Sequence, residues 1–91
     1  MKRRVSFKVR GRVQGIAFRA TARDQAQQLG LVGFIRNLED GAVAGEVEGD
    51  ASAVDAFLAW LKRGPPGARV DDLTTADATV AGLSKRFEIR T

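Results

Sequence analysis

The stretch from Val9 to Arg23, VRGRVQGIAFRATAR, most constrains what this chain can fold into. Apolar and polar residues alternate in the segment that leads into it, VSFKV (residues 5–9), which is the pattern of a strand with one buried face. Gly11 and Gly15 then permit backbone angles that a side chain forbids. Beyond them, apolar residues recur at helical spacing. The stretch therefore predicts a strand that turns sharply into a helix.

The turn at this junction has the residues of an anion-binding loop. Backbone N–H groups between Arg12 and Phe18 can converge on one point, at which the first helical turn also aims its unpaired donors and its positive dipole end. Arg19 lies in that first turn, where a cation is unfavourable unless an anion lies in front of it. Its planar guanidinium suits phosphate oxygens. The alternative interpretation is a plain glycine turn with a solvated arginine, because the pattern lacks the Lys-Ser/Thr of a nucleotide P-loop.

The remaining patterns predict a βαββαβ chain with one small additional strand. The pair Asp40-Gly41 separates two strand-like segments and predicts a hairpin over residues 31–49. Two helices on one face of an antiparallel sheet give an α+β fold of the ferredoxin-like type. The predicted helices lie over about Phe18–Leu29 and from about residue 50 to Gly64, and either Asp50 or Ser52 can cap the second one. The predicted additional strands are an edge strand with irregular ends within residues 68–80 and a short strand over residues 86–90.

The composition limits the chemistry that is available. The 91 residues, of which 44% are apolar and 29% charged, fit one globular domain over residues 1–91. The chain has no His, Cys or Tyr. A general base would have to be a perturbed carboxylate or lysine, and a transition metal would have carboxylates alone as ligands. We therefore expect no transition-metal site, and an enzyme of this composition would work by positioning and electrostatics.

Positive charge is concentrated at the beginning of the chain, although the formal net charge is only +4. Residues 1–23 contain no acidic residue, so this end is expected to meet an anion, and charge alone leaves open a small phosphate or a nucleic acid. No apolar leader and no bilayer-length apolar segment is present, so we expect a cytoplasmic protein without a membrane partner. The basic residues of this segment are Lys2, Arg3, Arg4, Lys8, Arg10, Arg12, Arg19 and Arg23.

Asn37 is the second candidate functional residue. It interrupts an apolar strand immediately before the hairpin turn, where asparagine is a poor strand former but common beside turns. In one interpretation the amide bonds its own backbone at the strand end. In the other it holds a water molecule, because an amide offers a donor and acceptors without a charge that competes with phosphate.

Three segments together resemble the acylphosphatase family: GRVQGIAFR (residues 11–19), GFIRNLEDGAVAGEVEG (residues 33–49) and FEIR (residues 87–90). The resemblance extends over essentially all 91 residues. It implies the ferredoxin-like fold and hydrolysis of the carboxyl–phosphate bond of small acyl phosphates, without metal or cofactor. It also implies that Arg19 is the catalytic phosphate-binding arginine and that Asn37 orients the attacking water. The residues whose backbone amides would wrap the phosphate are Arg12, Val13, Gln14, Gly15, Ile16, Ala17 and Phe18.

Two features depart from that family's pattern. Ala17, Ala20 and Thr21 are small where relatives often have bulky or aromatic groups, which predicts an open pocket rim. Leu38 follows Asn37 where some relatives have a small polar residue, so no side-chain contribution is expected from that position. Neither departure removes the pair formed by Arg19 and Asn37.

Two other functions fit the same patterns. Ferredoxin-like sheets also bind RNA by stacking bases on exposed aromatics, but four of the six aromatic residues fall on predicted core faces and Phe34 alone is ambiguous. A regulatory domain that binds a phosphorylated metabolite without cleaving it would use the same loop, and only Asn37 favours turnover. We expect a monomer that binds acyl phosphate, inorganic phosphate or another small anion, and no nucleic acid. The core aromatics are Phe7, Phe18, Phe57 and Phe87.

Overall fold

The computed structural model describes residues 1–82 and 85–91, and these form five strands and two helices. The predicted βαββαβ order with one additional strand is confirmed. Both predicted helices form, and the strands after the first helix lie within two residues of their expected bounds. The first strand begins three residues before and ends three residues after the predicted segment 5–9. The elements are β1 (Lys2–Arg12), α1 (Phe18–Gln28), β2 (Val32–Asn37), β3 (Val43–Asp50), α2 (Ala51–Arg63), β4 (Arg69–Ala78) and β5 (Phe87–Arg90).

The strands form one sheet in the order β4-β1-β3-β2-β5. β1 pairs antiparallel with β3 and β4, and β2 pairs antiparallel with β3. The last strand differs from the predicted antiparallel arrangement, because β5 runs parallel to β2, with Ile35 opposite Ile89. β4 and β5 lie at opposite edges of the sheet. Strand periodicity does not encode that direction.

Both helices pack on one face of the sheet and enclose the core. Val5, Phe7 and Val9 of β1 are buried, as their alternation predicted. Phe57 of α2 packs edge-on against Phe7 with ring centroids 5.7 Å apart. Trp60, predicted at the edge of the core, is 8% exposed and stacks on Phe57. The four predicted core phenylalanines are all buried, so the aromatic side chains contribute to packing between sheet and helices.

The start of α2 corrects one detail of the prediction. Asp50 occupies the N-cap position, but no side-chain hydrogen bond caps the helix from any of the described residues. The Asp50 carboxylate instead lies 4.0 Å from the amino group of Met1, and Ser52 lies inside the helix. The start was predicted correctly, whereas the side-chain cap was not. No helix in the described part of the chain has the length and apolar character needed to cross a membrane.

Candidate active site

The loop between β1 and α1 begins where the pairing of β1 with β4 is irregular. The register shifts between Arg10 and Gly11. Gly11 has φ 135°, and a Cβ there would lie 2.0 Å from the carbonyl oxygen of Arg69, so only glycine fits. Beyond the shift β1 still pairs with β4 as far as Arg12, and the loop over residues 13–17 follows.

The loop enters α1 through two left-handed residues. Gly15 has φ 79°, and the space around it is open, so glycine is required there for its backbone angle alone. Ala17 is the helix N-cap and has φ 60° and ψ 26°. A side chain in this conformation costs about 1 kcal/mol. Strain of this kind is typical of loops whose backbone geometry serves a ligand.

The first turn of α1 has donors available for a ligand. Ala17 has no polar side chain, no described side chain caps this helix, and its first turn contains no acidic residue. The carbonyl of Ala17 accepts hydrogen bonds from the backbone N–H of Thr21 and from its hydroxyl. The positive end of the helix dipole therefore faces the loop without a carboxylate to neutralise it.

Arg19 and Asn37, the two candidate functional residues singled out from the sequence, line the same pocket. The pocket is a cavity of about 180 Å³ in front of the helix. Of the seven loop residues predicted from sequence, four line it, and Arg12, Gln14 and Ile16 do not. Ala20, expected from the sequence at the pocket rim, also lines it, and so does Ile89, which was not predicted. The complete lining is Val13, Gly15, Ala17, Phe18, Arg19, Ala20, Asn37 and Ile89.

The Arg19 side chain is held between α1 and the last strand. Its Nη1 donates a hydrogen bond to the carbonyl oxygen of Arg90 at 3.2 Å. Among the described residues no carboxylate lies within ion-pair distance of Arg19. A half-buried guanidinium that is anchored through one N–H and lacks a counter-charge is suited to binding an anion through its remaining donors.

Asn37 is the last residue of β2 and pairs with Val43 of β3. Its side-chain Oδ1 is buried and has no hydrogen-bond partner within the described residues. The interpretation in which this oxygen bonds its own backbone is therefore not what the structure contains. A buried acceptor without a partner costs about 1–3 kcal/mol, a cost that a hydrogen bond from a ligand or a water molecule would remove.

Gln14 connects the loop to the strand end that carries Asn37. Its side-chain Nε2 donates to the carbonyl oxygens of Leu38 and Ala42, both at 2.9 Å. The sequence assigned Gln14 a backbone role alone. Its side chain fixes the position of the loop relative to the β2–β3 turn, and no local pattern indicated that contact, because the partners lie 24 and 28 residues away.

The β2–β3 turn is itself fixed by Asp40. Its carboxylate accepts the backbone N–H of Ala42 at 3.0 Å and lies 3.0 Å from the guanidinium of Arg10 and 3.5 Å from the ammonium of Lys8. The hydrogen bond from Ala42, reinforced by Arg10, lowers the pKa of the Asp40 carboxyl. The two basic residues of β1 thus hold the turn that follows Asn37.

None of the described residues form a group of three or more His, Cys, Asp or Glu side chains that could hold a metal ion. The positive groups at the pocket are the N-terminal end of α1 and the Arg19 guanidinium. The fold and the pocket together define a small α+β domain in which a strained loop, a helix N-terminus and a strand-end amide surround one cavity.

Comparison with known proteins agrees with this description. The acylphosphatase family model matches residues 5–89. A protein of Methylococcus capsulatus named acylphosphatase is 49% identical over 87 residues, which are 96% of this chain and 95% of that protein. The crystal structure of acylphosphatase from Bacillus subtilis superposes with a TM-score of 0.93 at 31% identity over 100% of both chains. An acylphosphatase structure from Coxiella burnetii gives 0.93 at 30% identity over 98% of this chain and 93% of that one. The chain belongs to the acylphosphatase family.

Proposed function

We propose that this protein hydrolyses small acyl phosphates at the carboxyl–phosphate bond, releasing a carboxylate and inorganic phosphate. The observation that carries the proposal is that Arg19 and Asn37 line one small pocket, and that the buried Oδ1 of Asn37 has no hydrogen-bond partner among the described residues. A pure phosphate-binding site requires the arginine and the loop but has no use for a buried, unsatisfied amide oxygen. Family membership supports the same reaction.

In the proposed mechanism the loop and Arg19 hold the phosphoryl group. The backbone N–H groups of the four loop residues that line the pocket and the guanidinium of Arg19 donate to its non-bridging oxygens and stabilise the charge of the transition state. Because these donors are fixed by the strained loop before substrate arrives, little reorganisation is needed during the reaction. The helix dipole contributes in the same direction.

The attacking water is oriented by Asn37. Its Oδ1 accepts a hydrogen bond from the water and thereby directs a lone pair of the water oxygen at phosphorus. The new P–O bond forms as the bond to the acyl oxygen breaks, and the carboxylate leaves with that electron pair. The proton lost by the water passes to a phosphate oxygen. A carboxylate is a weakly basic leaving group, so no general acid is required.

We propose that this step needs neither a metal nor a cofactor, because the loop donors and Arg19 supply the positive charge that phosphoryl transfer requires. All the groups named come from one chain, so a single copy is sufficient for turnover. The small side chains of Ala17 and Ala20 at the pocket lining leave room beyond the phosphate for the acyl group.

Hydrolysis of benzoyl phosphate tests the proposal. We expect turnover by the wild-type protein in the presence of a metal chelator, and a loss of about 10²- to 10³-fold in kcat for Arg19→Gln and for Asn37→Ala. Arg69→Gln is the matched control, because this exposed arginine pairs with Asp71 on the edge strand. Binding of inorganic phosphate without turnover by the wild type would indicate a sensor domain. Salt-dependent binding of single-stranded RNA without turnover would indicate a nucleic-acid-binding module.

A further inference from the structure

A second cavity, of about 550 Å³, lies beside the proposed phosphate pocket. It is lined by Arg23 and Gln27 of α1, by Arg86, and by the first three residues of β5, Phe87, Glu88 and Ile89. Ile89 lines both cavities. A molecule whose phosphoryl group occupies the smaller pocket would extend past Ile89 into this groove.

The helix places two arginines along that path. Arg19, at the phosphate pocket, and Arg23, in the groove, are four residues apart on α1, so their Cα atoms are separated by about 6 Å along the axis and their side chains emerge on the same face. The guanidinium of Arg19 is anchored to the carbonyl of Arg90. Arg23 therefore lies one helical turn beyond the phosphate-pocket arginine and lines the groove.

The charges that face the groove leave a positive balance. The Glu88 carboxylate lies 3.4 Å from the guanidinium of Arg86 and 3.7 Å from that of Arg90, so its charge is shared with two cations. Asp24 lies 3.9 Å from the Nε of Arg23 and is 62% exposed, which makes it a weak and solvated partner. Arg23 retains donors for an anion, and Gln27, one turn further along α1, can add a neutral amide donor.

We propose that the groove is a specificity subsite in which Arg23 recognises an anionic group on the acyl part of the substrate. The preferred substrates are then acyl phosphates that carry a second anionic group, such as a carboxylate, at the end of the acyl chain remote from the phosphate. This inference rests on the proposed hydrolysis at the phosphate pocket, since that pocket fixes the other end of the molecule.

The test compares two substrates that differ only in the charge of the remote group, 4-carboxybenzoyl phosphate and 4-carbamoylbenzoyl phosphate. For the wild type we expect a KM about three- to tenfold lower for the carboxylate, with similar kcat, as for one charge-assisted hydrogen bond at a partly exposed site. Arg23→Gln is expected to raise the KM of the carboxylate to that of the amide and to leave the amide unchanged. Arg23→Lys is expected to keep part of the preference.

Lys62→Gln on α2 is the matched control, because it removes one positive charge at an exposed position that lines a different cavity. A preference that falls equally in Lys62→Gln and Arg23→Gln would be a net-charge effect and would overturn the subsite. Equal KM values for the two substrates in the wild type would also overturn it and leave the hydrolysis intact. Failure of the wild type to hydrolyse either compound would reject the proposed function and the subsite together.

Discussion

Gln14 and Leu38 are joined by a hydrogen bond of 2.9 Å from the side-chain amide of the first to the backbone carbonyl of the second. Leu38 directly follows Asn37, so this bond fixes the distance between the loop proposed to hold phosphate and the amide proposed to hold water. Both carbonyls that Gln14 contacts also accept backbone N–H groups within the turn, Leu38 O from Gly41 and Ala42 O from Leu38. Gln14 is thus a positioning residue and not the turn's only support.

Replacing Gln14 by alanine is expected to lower kcat/KM clearly and to change the free energy of unfolding only slightly. Because neither carbonyl is orphaned, the free energy of unfolding should fall by only about 1 kcal/mol, whereas kcat/KM for benzoyl phosphate should fall roughly tenfold as the loop and Asn37 lose their fixed separation. Urea unfolding and steady-state kinetics measure the two effects. Gln28→Ala, at the exposed end of α1, is the control. Unchanged kcat/KM in the Gln14 variant would remove its positioning role.

Asn37→Ala is expected to lower kcat by about 10²- to 10³-fold and yet to stabilise the folded protein or leave its stability unchanged. The buried Oδ1 has no partner among the described residues, so deleting it removes a desolvation cost of about 1–3 kcal/mol, partly offset by the lost packing of a small side chain. Stabilisation on removal of a functional group is the usual trade-off at binding sites. Chemical denaturation of the unliganded protein measures this effect, and a loss of 2 kcal/mol or more would indicate a structural role for the amide.

The sequence predicted the parts of this molecule that local patterns encode. The alternation of VSFKV, the glycines of the β1–α1 turn and the Asp40-Gly41 pair each specify the conformation of a few neighbouring residues, and all three elements form as expected. The burial of Phe7 and Phe57 followed from the same periodicities.

Contacts between distant segments were not predictable in the same way. The parallel direction of β5, the contribution of Ile89 to the pocket and the hydrogen bonds of Gln14 all depend on which strands become neighbours. Strand-like alternation is the same for either direction of a strand. The candidate pair Arg19 and Asn37 could be named from the sequence because each interrupts a local pattern, whereas the groups that hold them in place interrupt none.

The strained N-cap at Ala17 gives a further prediction. Ala17→Gly relieves the left-handed conformation but increases the entropy of the unfolded chain, so the free energy of unfolding should stay the same or rise by up to about 1 kcal/mol. Ala56→Gly, at an exposed position inside α2, is the matched control and should lower it by about 1 kcal/mol. The same substitution is therefore expected to lower the free energy of unfolding at residue 56 and not at residue 17. Equal destabilisation of both variants in thermal or urea unfolding would show that Ala17 is not strained.

A buried charge cluster on β1 and β3 predicts how stability depends on pH. The Arg4 guanidinium, 9% exposed, lies 3.2 Å from the carboxylate of Glu48, which also accepts the backbone N–H of Ala81. The hydrogen bond from Ala81, followed by the contact with Arg4, lowers the pKa of Glu48. As pH falls, Glu48 is therefore protonated in the unfolded chain at a higher pH than in the folded protein. The stabilisation from this carboxylate is present above the usual carboxyl pKa of about 4.3 and is lost as pH falls below that value.

Glu48→Gln is accordingly expected to be destabilised at neutral pH and to show a shallower decline of the unfolding free energy between about pH 5 and pH 3. Glu39→Gln, at an exposed residue of the hairpin turn, is the control and should keep the wild-type slope. Unfolding midpoints in urea at a series of pH values measure the slopes. Parallel curves for wild type and Glu48→Gln would mean that this carboxyl contributes nothing to acid sensitivity.

Inorganic phosphate, as a product of the proposed reaction, is expected to stabilise the folded protein by binding at the loop. At one hundred times its dissociation constant the gain is about 2.7 kcal/mol. Phosphate also stabilises proteins nonspecifically by exclusion from their surface, so the informative quantity is the difference between variants at equal ionic strength. Arg19→Gln should lose most of the gain, because its guanidinium has no carboxylate partner among the described residues and faces the pocket. Arg69→Gln should retain it. The same phosphate-dependent rise in melting temperature in both variants would place the bound anion away from the loop.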